Sequence, residues 1–112
     1  MKAARGPARH DLPAIDDAAL AAAWAADRLL VAARERGIAR WERYLAPIPD
    51  ALRDGDLREL RAAARTGRAA FGPRDSLLDA LPTDRVLAFH DALDVLLRRI
   101  AVHDAEVGPR GA

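Results

Sequence analysis

The sequence predicts an all-α fold, a small bundle of four to five helices with one long N-terminal and one long C-terminal helix. Apolar residues recur at three- and four-residue spacing along most of the chain. No segment alternates apolar and polar residues with β-branched enrichment, and no repeat of about 20 to 50 residues is visible. At 112 residues, the chain has the usual size of one domain.

The distribution of glycine and proline predicts how the chain is organised. Both residue types interrupt the two ends, where the apolar residues show no helical period. We therefore expect a mobile N-terminal arm at residues 1–15, a single helical domain at residues 16–105 and a frayed C-terminal tail at residues 106–112.

The longest predicted element is a helix or helix pair between Asp17 and Ala46, with Asp16 or Asp17 as its N-cap and Pro47 at its end. Gly37 has the position of a C-cap, but the apolar stripe keeps its phase across it. We therefore expect a continuous helix, or one merely kinked at Gly37. The stripe repeats every seven residues, at Trp24, Val31, Ile38 and Leu45. Beside it lie Ala23, Leu30, Trp41 and Tyr44.

The composition predicts a thin core and self-association. The apolar fraction is 51%, yet 27 residues are alanine, whose side chains each bury little area. Because self-association buries apolar area that a thin core does not, we expect a homodimer. Binding to a different protein is also possible on this composition. Asp27 lies near the stripe and, if buried, needs a partner such as arginine.

The aromatic residues of the stripe allow two interpretations. They could line an apolar ligand pocket, or they could anchor the core or a dimer interface, which is the commoner role at this spacing. The pocket or interface residues are Trp24, Val31, Ile38, Trp41, Tyr44 and Leu45.

A turn region rich in proline, with one helical turn at residues 50–53, precedes the next helix. Asp56 and Glu59 have the spacing of a capping box, so a helix should begin there. It should end near Gly67 or Phe71.

The C-terminal half predicts one short and one long helix. Pro73 is placed to open a short helix through Leu81. Thr83 can cap the last long helix, which should end near Asp104. Apolar residues at helical spacing support it, namely Val86, Phe89, Leu93, Leu96, Leu97 and Ile100.

Four arginines predict a charged face on the helix after Asp56. Arg58, Arg61, Arg65 and Arg68 are spaced three, four and three residues apart, which places them on one face. This stripe could contact nucleic acid phosphates, it could be a solvated face, or it could match the acidic last helix of another subunit. The nucleic-acid interpretation is not favoured, because residues that read or stack on bases are scarce in this chain.

His90 and Asp94 are weak candidates for metal ligands, because positions four apart on a helix can hold one ion. Two ligands do not complete a site, so we expect no metal and no cofactor. The chain contains no cysteine, which excludes disulfides and thiolate chemistry.

Two short motifs resemble those of known families. Arg85 and His90 have the R-x4-H spacing of the HEPN ribonucleases, although regular helix turns these two side chains about 140° apart. Asp75–Leu77 is similar to the Asp-Ser-Leu to which acyl carrier proteins attach phosphopantetheine, which would make Ser76 the attachment point.

Charge and composition predict a cytoplasmic protein. The net charge of +1 creates no global field for nucleic acid or membranes. No uncharged stretch approaches about 18 residues, and acidic residues interrupt the N-terminal alanine-rich run, so neither a membrane span nor an export signal is expected. Asn and Gln are absent and Arg replaces Lys almost throughout, as in GC-rich bacterial genomes.

These observations favour a non-enzymatic helical interaction or regulatory module that acts as a homo-oligomer. The first alternative is nucleic-acid binding through Arg58, Arg61, Arg65 and Arg68. The second is a small-molecule binder around Trp24, Trp41 and Tyr44, or a metal-assisted enzyme around His90 and Asp94. No residue set recommends itself as catalytic.

Overall fold

Helices make up the fold in the computed structural model, which describes residues 8–72 and 77–108. No strand occurs within these two ranges, so the predicted all-α bundle is confirmed. A 3-10 turn at Arg9–Asp11 comes first. The α-helices that follow are α1 (Pro13–Glu35), α2 (Ala39–Leu45), α3 (Ile48–Asp54), α4 (Leu57–Ala69), the one-turn α5 (Leu77–Ala80) and α6 (Thr83–Val107).

The two long helices α1 and α6 pack against each other along their lengths and run antiparallel. Near the start of α1, Arg99 of α6 donates a hydrogen bond to the carbonyl of Ala14, at 2.8 Å. At its other end, Arg85 of α6 lies 3.9 Å from the carboxylate of Glu35. Helices α2 and α3 also pack on α1, and α4 contacts both α3 and α6.

Helix α1 begins at Pro13, so the predicted N-cap at Asp16 or Asp17 is wrong. Proline suits the first turn of a helix, where its missing N–H needs no partner. The Arg9 guanidinium fixes this region by binding the Asp16 carboxylate and the Gly55 carbonyl, both at 2.8 Å. Ordered structure therefore extends into the segment predicted as an arm, whose residues 1–7 lie outside the described part of the chain.

The predicted continuous helix from Asp17 to Ala46 is wrong, because the chain breaks at Gly37. Gly37 has a φ of 65°, in the left-handed region that glycine favours. The Ile38 N–H donates to the carbonyl of Ala33, and the Gly37 N–H donates to that of Arg34, both at 3.1 Å. This pair of bonds is a Schellman motif, which ends α1 and lets α2 leave in a new direction.

Alanine forms the buried face of α1. Ala19, Ala22, Ala26 and Ala33 have no exposed surface, which lets α6 and α3 approach closely. The opposing large side chains come mainly from α6. Of the predicted apolar residues of this helix, Leu97 is half-buried and the others are fully or almost fully buried, namely Val86, Phe89, Leu93, Leu96 and Ile100.

Helix α4 begins with the predicted capping box. The Asp56 carboxylate accepts from the Glu59 N–H, and the Glu59 carboxylate accepts from the Asp56 N–H, both at 2.9 Å. At the other end, α4 crosses α6 so closely that a Cβ on Gly67 would lie 2.7 Å from a methyl carbon of Leu93. The predicted helix start at Pro73 lies outside the described residues.

Of the helices in the described ranges, none combines the length and the apolar composition that a membrane span requires.

Candidate interaction surface

The predicted apolar stripe divides into a buried and an exposed part at Gly37. Beyond the break, Trp41 and Leu45 are buried and Ile38 and Tyr44 are half-buried. Before it, Trp24 and Val31 face solvent, with 62% and 44% of their surface exposed. Their neighbours Ala23 and Leu30 are buried, so the core lies on a different side of α1 from the one that the stripe indicates.

Trp24 and Val31 share their exposed face of α1 with Leu20, which is 44% exposed. The three side chains are spaced four and seven residues apart, so they follow one line along the helix. This line, called the outer row below, lies opposite the alanine face. Leu20 was not among the predicted site residues, although its four-residue distance from Trp24 was a usable signal.

Charged groups flank the outer row. The Arg28 guanidinium lies 4.9 Å from the centre of the Trp24 ring, a cation–π contact. The Asp27 carboxylate accepts a hydrogen bond from Arg53 at 3.0 Å, and Arg34 binds Glu42 through its Nε at 3.3 Å. Asp27 thus has an arginine partner, although it is half-exposed and not buried.

The Arg53 guanidinium holds α1 to α3. It binds Asp27 of α1 and Asp50 of its own helix, at 3.0 and 2.9 Å. The hydrogen bond to Asp27 and then that to Asp50 raise the pKa of Arg53. Arg53 therefore stays charged and keeps the negative charge of Asp27 balanced.

The predicted aromatic pocket does not form as one cluster. Trp41 and Tyr44 pack edge to face with their ring centres 5.4 Å apart, and the Tyr44 hydroxyl donates to the Thr66 carbonyl at 2.6 Å. Trp24 lies outside on the outer row. The buried Trp41 Nε1 has no hydrogen-bond partner among the described residues.

Two of the four stripe arginines pair with α6 of the same chain. Arg61 binds both carboxylate oxygens of Asp104, at 2.5 and 3.1 Å, and Arg68 lies 3.2 Å from Asp94. The hydrogen bond from Arg61 is the main reason that the pKa of Asp104 is lowered. Arg58 and Arg65 are exposed. Arginines of α4 thus pair with carboxylates of the acidic last helix within the same chain.

His90 and Asp94 do meet on α6, with His90 Nδ1 3.6 Å from an Asp94 oxygen. The edge of the His90 ring also packs on Phe71, with 5.0 Å between ring centres. Within residues 8–72 and 77–108, no three candidate ligands converge on a common point. The pair therefore acts as a contact between α4 and α6, in which Asp94 bridges Arg68 and His90.

Arg85 and His90 lie on different sides of α6. Arg85 faces α1, where it donates to the Arg28 carbonyl at 3.4 Å, whereas His90 packs on Phe71. The two side chains therefore do not form the pair that the R-x4-H spacing implies. Ser76, the other motif residue, lies outside the described residues.

A shallow cleft of about 330 Å³ lies where α1 begins and α6 ends, and the sequence did not predict it. Leu12, Ile15 and Val102 line it together with Arg99 and His103. A smaller, mainly apolar groove of about 260 Å³ lies between α3 and α4. Neither of these depressions involves the outer row.

Comparisons of the chain with protein-family models, with curated proteins and with solved structures gave no match.

Proposed function

We propose that this protein is a non-enzymatic helical interaction module that works as a homodimer, with the outer row of α1 as its docking surface. The observation that carries the proposal is the exposure of Leu20, Trp24 and Val31 along a single helix face. Exposed apolar residues scattered over a surface are ordinary, but several that align on one helix face are typical of an interaction site. Tryptophan is also the residue type most enriched among the anchors of protein interfaces.

The choice of a second copy as the partner rests on the composition of the core. The buried face of α1 is mostly alanine, so each residue there removes little apolar surface from water. Packing two outer rows against each other adds apolar burial that the monomer lacks. Two-fold dimers are also the commonest assemblies of soluble proteins.

The nucleic-acid alternative has less support. A phosphate-binding face needs free guanidinium groups, and Arg61 and Arg68 are held by Asp104 and Asp94. Each of those pairs also places a carboxylate beside the arginine, where it would repel a phosphate.

The enzymatic alternatives also have less support. General acid–base catalysis requires titratable groups that converge on a site where a substrate can bind. The clusters around Asp94 and Asp104 instead join α4 to α6 through salt bridges. His90, in the same contact, packs on the Phe71 ring.

Sedimentation velocity tests the proposal over protein concentrations from about 1 to 300 μM, which bracket a micromolar Kd. We expect the wild type to shift from monomer to dimer across this range. Trp24→Ala and Leu20→Ala should each weaken the dimer, Trp24→Ala by at least about tenfold, because each removes a buried anchor.

The matched control is Leu87→Ala on α6, because Leu87 is 45% exposed and loses the same atoms as Leu20. It should leave the dimer unchanged. A wild type that sediments as a monomer throughout, or a dimer that Leu87→Ala weakens as much as Leu20→Ala does, would contradict the proposal.

A further inference from the structure

We infer that the two copies of α1 pack antiparallel, with Leu20 of each copy against Val31 of the other. This inference rests on the proposed function and adds to it the direction, the register and the pairs of residues that face each other. The two-fold axis lies level with residues 25 and 26, close to the middle of α1.

The outer face of α1 has the spacing of a helix–helix seam. Its residues alternate at intervals of three and four along the helix, as in a coiled coil, so they face one partner together. This seam consists of the outer row and three charged residues that lie in line with it. In chain order its members are Asp17, Leu20, Trp24, Asp27, Val31 and Arg34.

A parallel dimer places like charges together. With the two-fold axis along the helices, each residue of the seam faces its own copy. Asp17 would then face Asp17, Asp27 would face Asp27 and Arg34 would face Arg34. Like charges across an interface disfavour the arrangement in which they meet, and parallel packing also aligns the two helix dipoles.

The antiparallel dimer matches the same residues with complementary partners. Asp17 at the start of α1 faces Arg34 near the end of the other copy, and Leu20 faces Val31. A contact of this kind is isologous, so every pair occurs twice. Each dimer therefore contains two Asp17–Arg34 pairs and two Leu20–Val31 contacts.

The neighbouring registers fail. Sliding one copy by one heptad brings Asp17 against Asp27, which are both acidic, and leaves Arg34 level with residue 10, before α1 begins. Sliding it the other way moves Leu20 past the Gly37 break that ends α1. One antiparallel register therefore satisfies both the apolar and the charged positions.

The contacts within each chain are compatible with this register. Arg34 uses its Nε for Glu42, so its terminal nitrogens can donate to Asp17 of the second copy. Trp24 faces Asp27, whose charge Arg53 already balances, and the indole N–H can donate to that carboxylate.

Thiol cross-linking tests the geometry, because a chain without cysteine gives no background. The variants are Leu20→Cys, Val31→Cys and the exposed control Val102→Cys, each treated with a thiol-to-thiol linker that spans less than about 10 Å, comparable to the spacing of packed helices. In the antiparallel register, the two copies of Leu20 are about 16 Å apart along the helix axis, beyond its reach.

We expect the equimolar mixture of Leu20→Cys and Val31→Cys to give covalent dimer, at least five times more than either variant alone. Each variant alone should give no more than Val102→Cys does. Dimer formed by Leu20→Cys alone and by Val31→Cys alone, but not enriched in the mixture, would indicate parallel packing and overturn the inference.

A charge exchange provides the second readout. Asp17→Arg and Arg34→Asp should each weaken the dimer by at least threefold in sedimentation, and the double variant should recover most of that loss. Circular dichroism checks that each variant keeps its helical content.

The outcomes separate this inference from the proposed function. A wild type that sediments as a dimer without the mixed cross-link, or without recovery in the double variant, overturns the antiparallel register only. A wild type that remains monomeric overturns both.

Discussion

Gly55 connects α3 to α4 with a backbone that any residue could adopt, at φ −71° and ψ 153°. Glycine is needed here for space, because a Cβ would collide with the carbonyl oxygen of Ala51 and lie 2.8 Å from the Cβ of Glu59. The collision is with backbone, which cannot rotate away. Gly55 also accepts the hydrogen bond from Arg9, so a shift here would reach the start of α1.

We expect Gly55→Ala to lower the free energy of unfolding by about 1–3 kcal/mol, the usual cost of overpacking. Urea unfolding measures it. Gly72→Ala is the matched control, since the nearest atom to its Cβ, among the described residues that are not its chain neighbours, is 3.8 Å away and the substitution should cost little. If both variants unfold at the wild-type urea concentration, the steric account is wrong.

The carboxyl group of Asp104 links stability to pH. The hydrogen bond from Arg61 lowers the pKa of Asp104 below its ordinary value of 3.8. Because the folded-state pKa is depressed, the pair stabilises the fold above the unfolded-state pKa. That stabilisation is lost as the pH falls through the folded-state pKa.

Asp104→Asn should therefore destabilise the protein at pH 7, by no more than about 1 kcal/mol because both side chains are partly exposed. Below the folded-state pKa, the difference from the wild type should disappear. Urea unfolding between about pH 2.5 and pH 7 checks this, with Arg61→Ala as the background in which Asp104→Asn should have little effect. A difference that stays constant with pH would contradict the assignment to this pair.

At the scale of the helices, Gly37 separates α1 from α2. Within residues 8–72 and 77–108, no atom other than those of its chain neighbours lies within 4 Å of a Cβ built on Gly37, so the backbone conformation is what resists substitution. Any residue with a Cβ is strained at a φ of 65°, and asparagine is strained less than alanine.

We expect Gly37→Ala to cost about 1 kcal/mol of stability, with Gly37→Asn between it and the wild type. Thermal unfolding followed by circular dichroism at 222 nm provides the measurement. A stabilised Gly37→Ala would mean that α1 and α2 can join into one helix, against the Schellman motif described above.

The sequence predicted α4 and α6 from local signals, although the predicted N-cap at Thr83 is wrong, because Thr83 is the first residue of α6 and Pro82 precedes it. The Asp56 and Glu59 capping box lies where α4 begins, and the apolar residues from Val86 to Ile100 identified α6 and its buried face. Both signals are local, so they do not depend on how the rest of the chain packs.

The α1–α2 break was missed because the seven-residue repeat continues past it by coincidence. Gly37 already had the correct local signal, and the local rule should have outweighed the period. Pro13 likewise signalled the start of α1 but was assigned to the arm. In both cases, one Gly or Pro was better evidence than a pattern of apolar residues.

The candidate surface was predicted in part. Trp24 and Val31 were predicted as residues of an interface, a pocket or the core, but their exposure in the monomer was not foreseeable from their size. A helix can approach its neighbours more closely through a face of alanines than through a face of large side chains. The alanine face of α1 is therefore the one that packs into the core. Large apolar residues on an alanine-rich helix thus indicate a face available for association.

At the scale of the whole molecule, arginines of α4 are neutralised by carboxylates of α6 within the same chain. The two helices meet in the Arg61–Asp104 and Arg68–Asp94 pairs. This pairing uses much of the local charge that could attract a phosphate backbone. The outer row of α1 does not take part in these pairs, and its three apolar side chains stay exposed on the face opposite the alanines.

Dimerisation through the outer row should make thermal stability depend on protein concentration. Binding that occurs only in the folded state stabilises it by mass action. A hundredfold increase in concentration adds about 1.4 kcal/mol per protomer once the dimer predominates. For a chain of this size, we expect the apparent Tm to rise by up to roughly 5 °C. Circular dichroism melts at about 3 and 300 μM, matched to the sedimentation range, measure the shift.

The variants of the outer row show whether the concentration dependence arises from this face. Trp24→Ala should reduce the shift strongly, because its weaker dimer forms only at the upper end of this concentration range. Leu87→Ala removes a leucine of similar exposure on α6 and should keep the full shift. A wild-type Tm that is independent of concentration would show that the folded monomer is the stable species, and that α1 tolerates its exposed tryptophan without a partner.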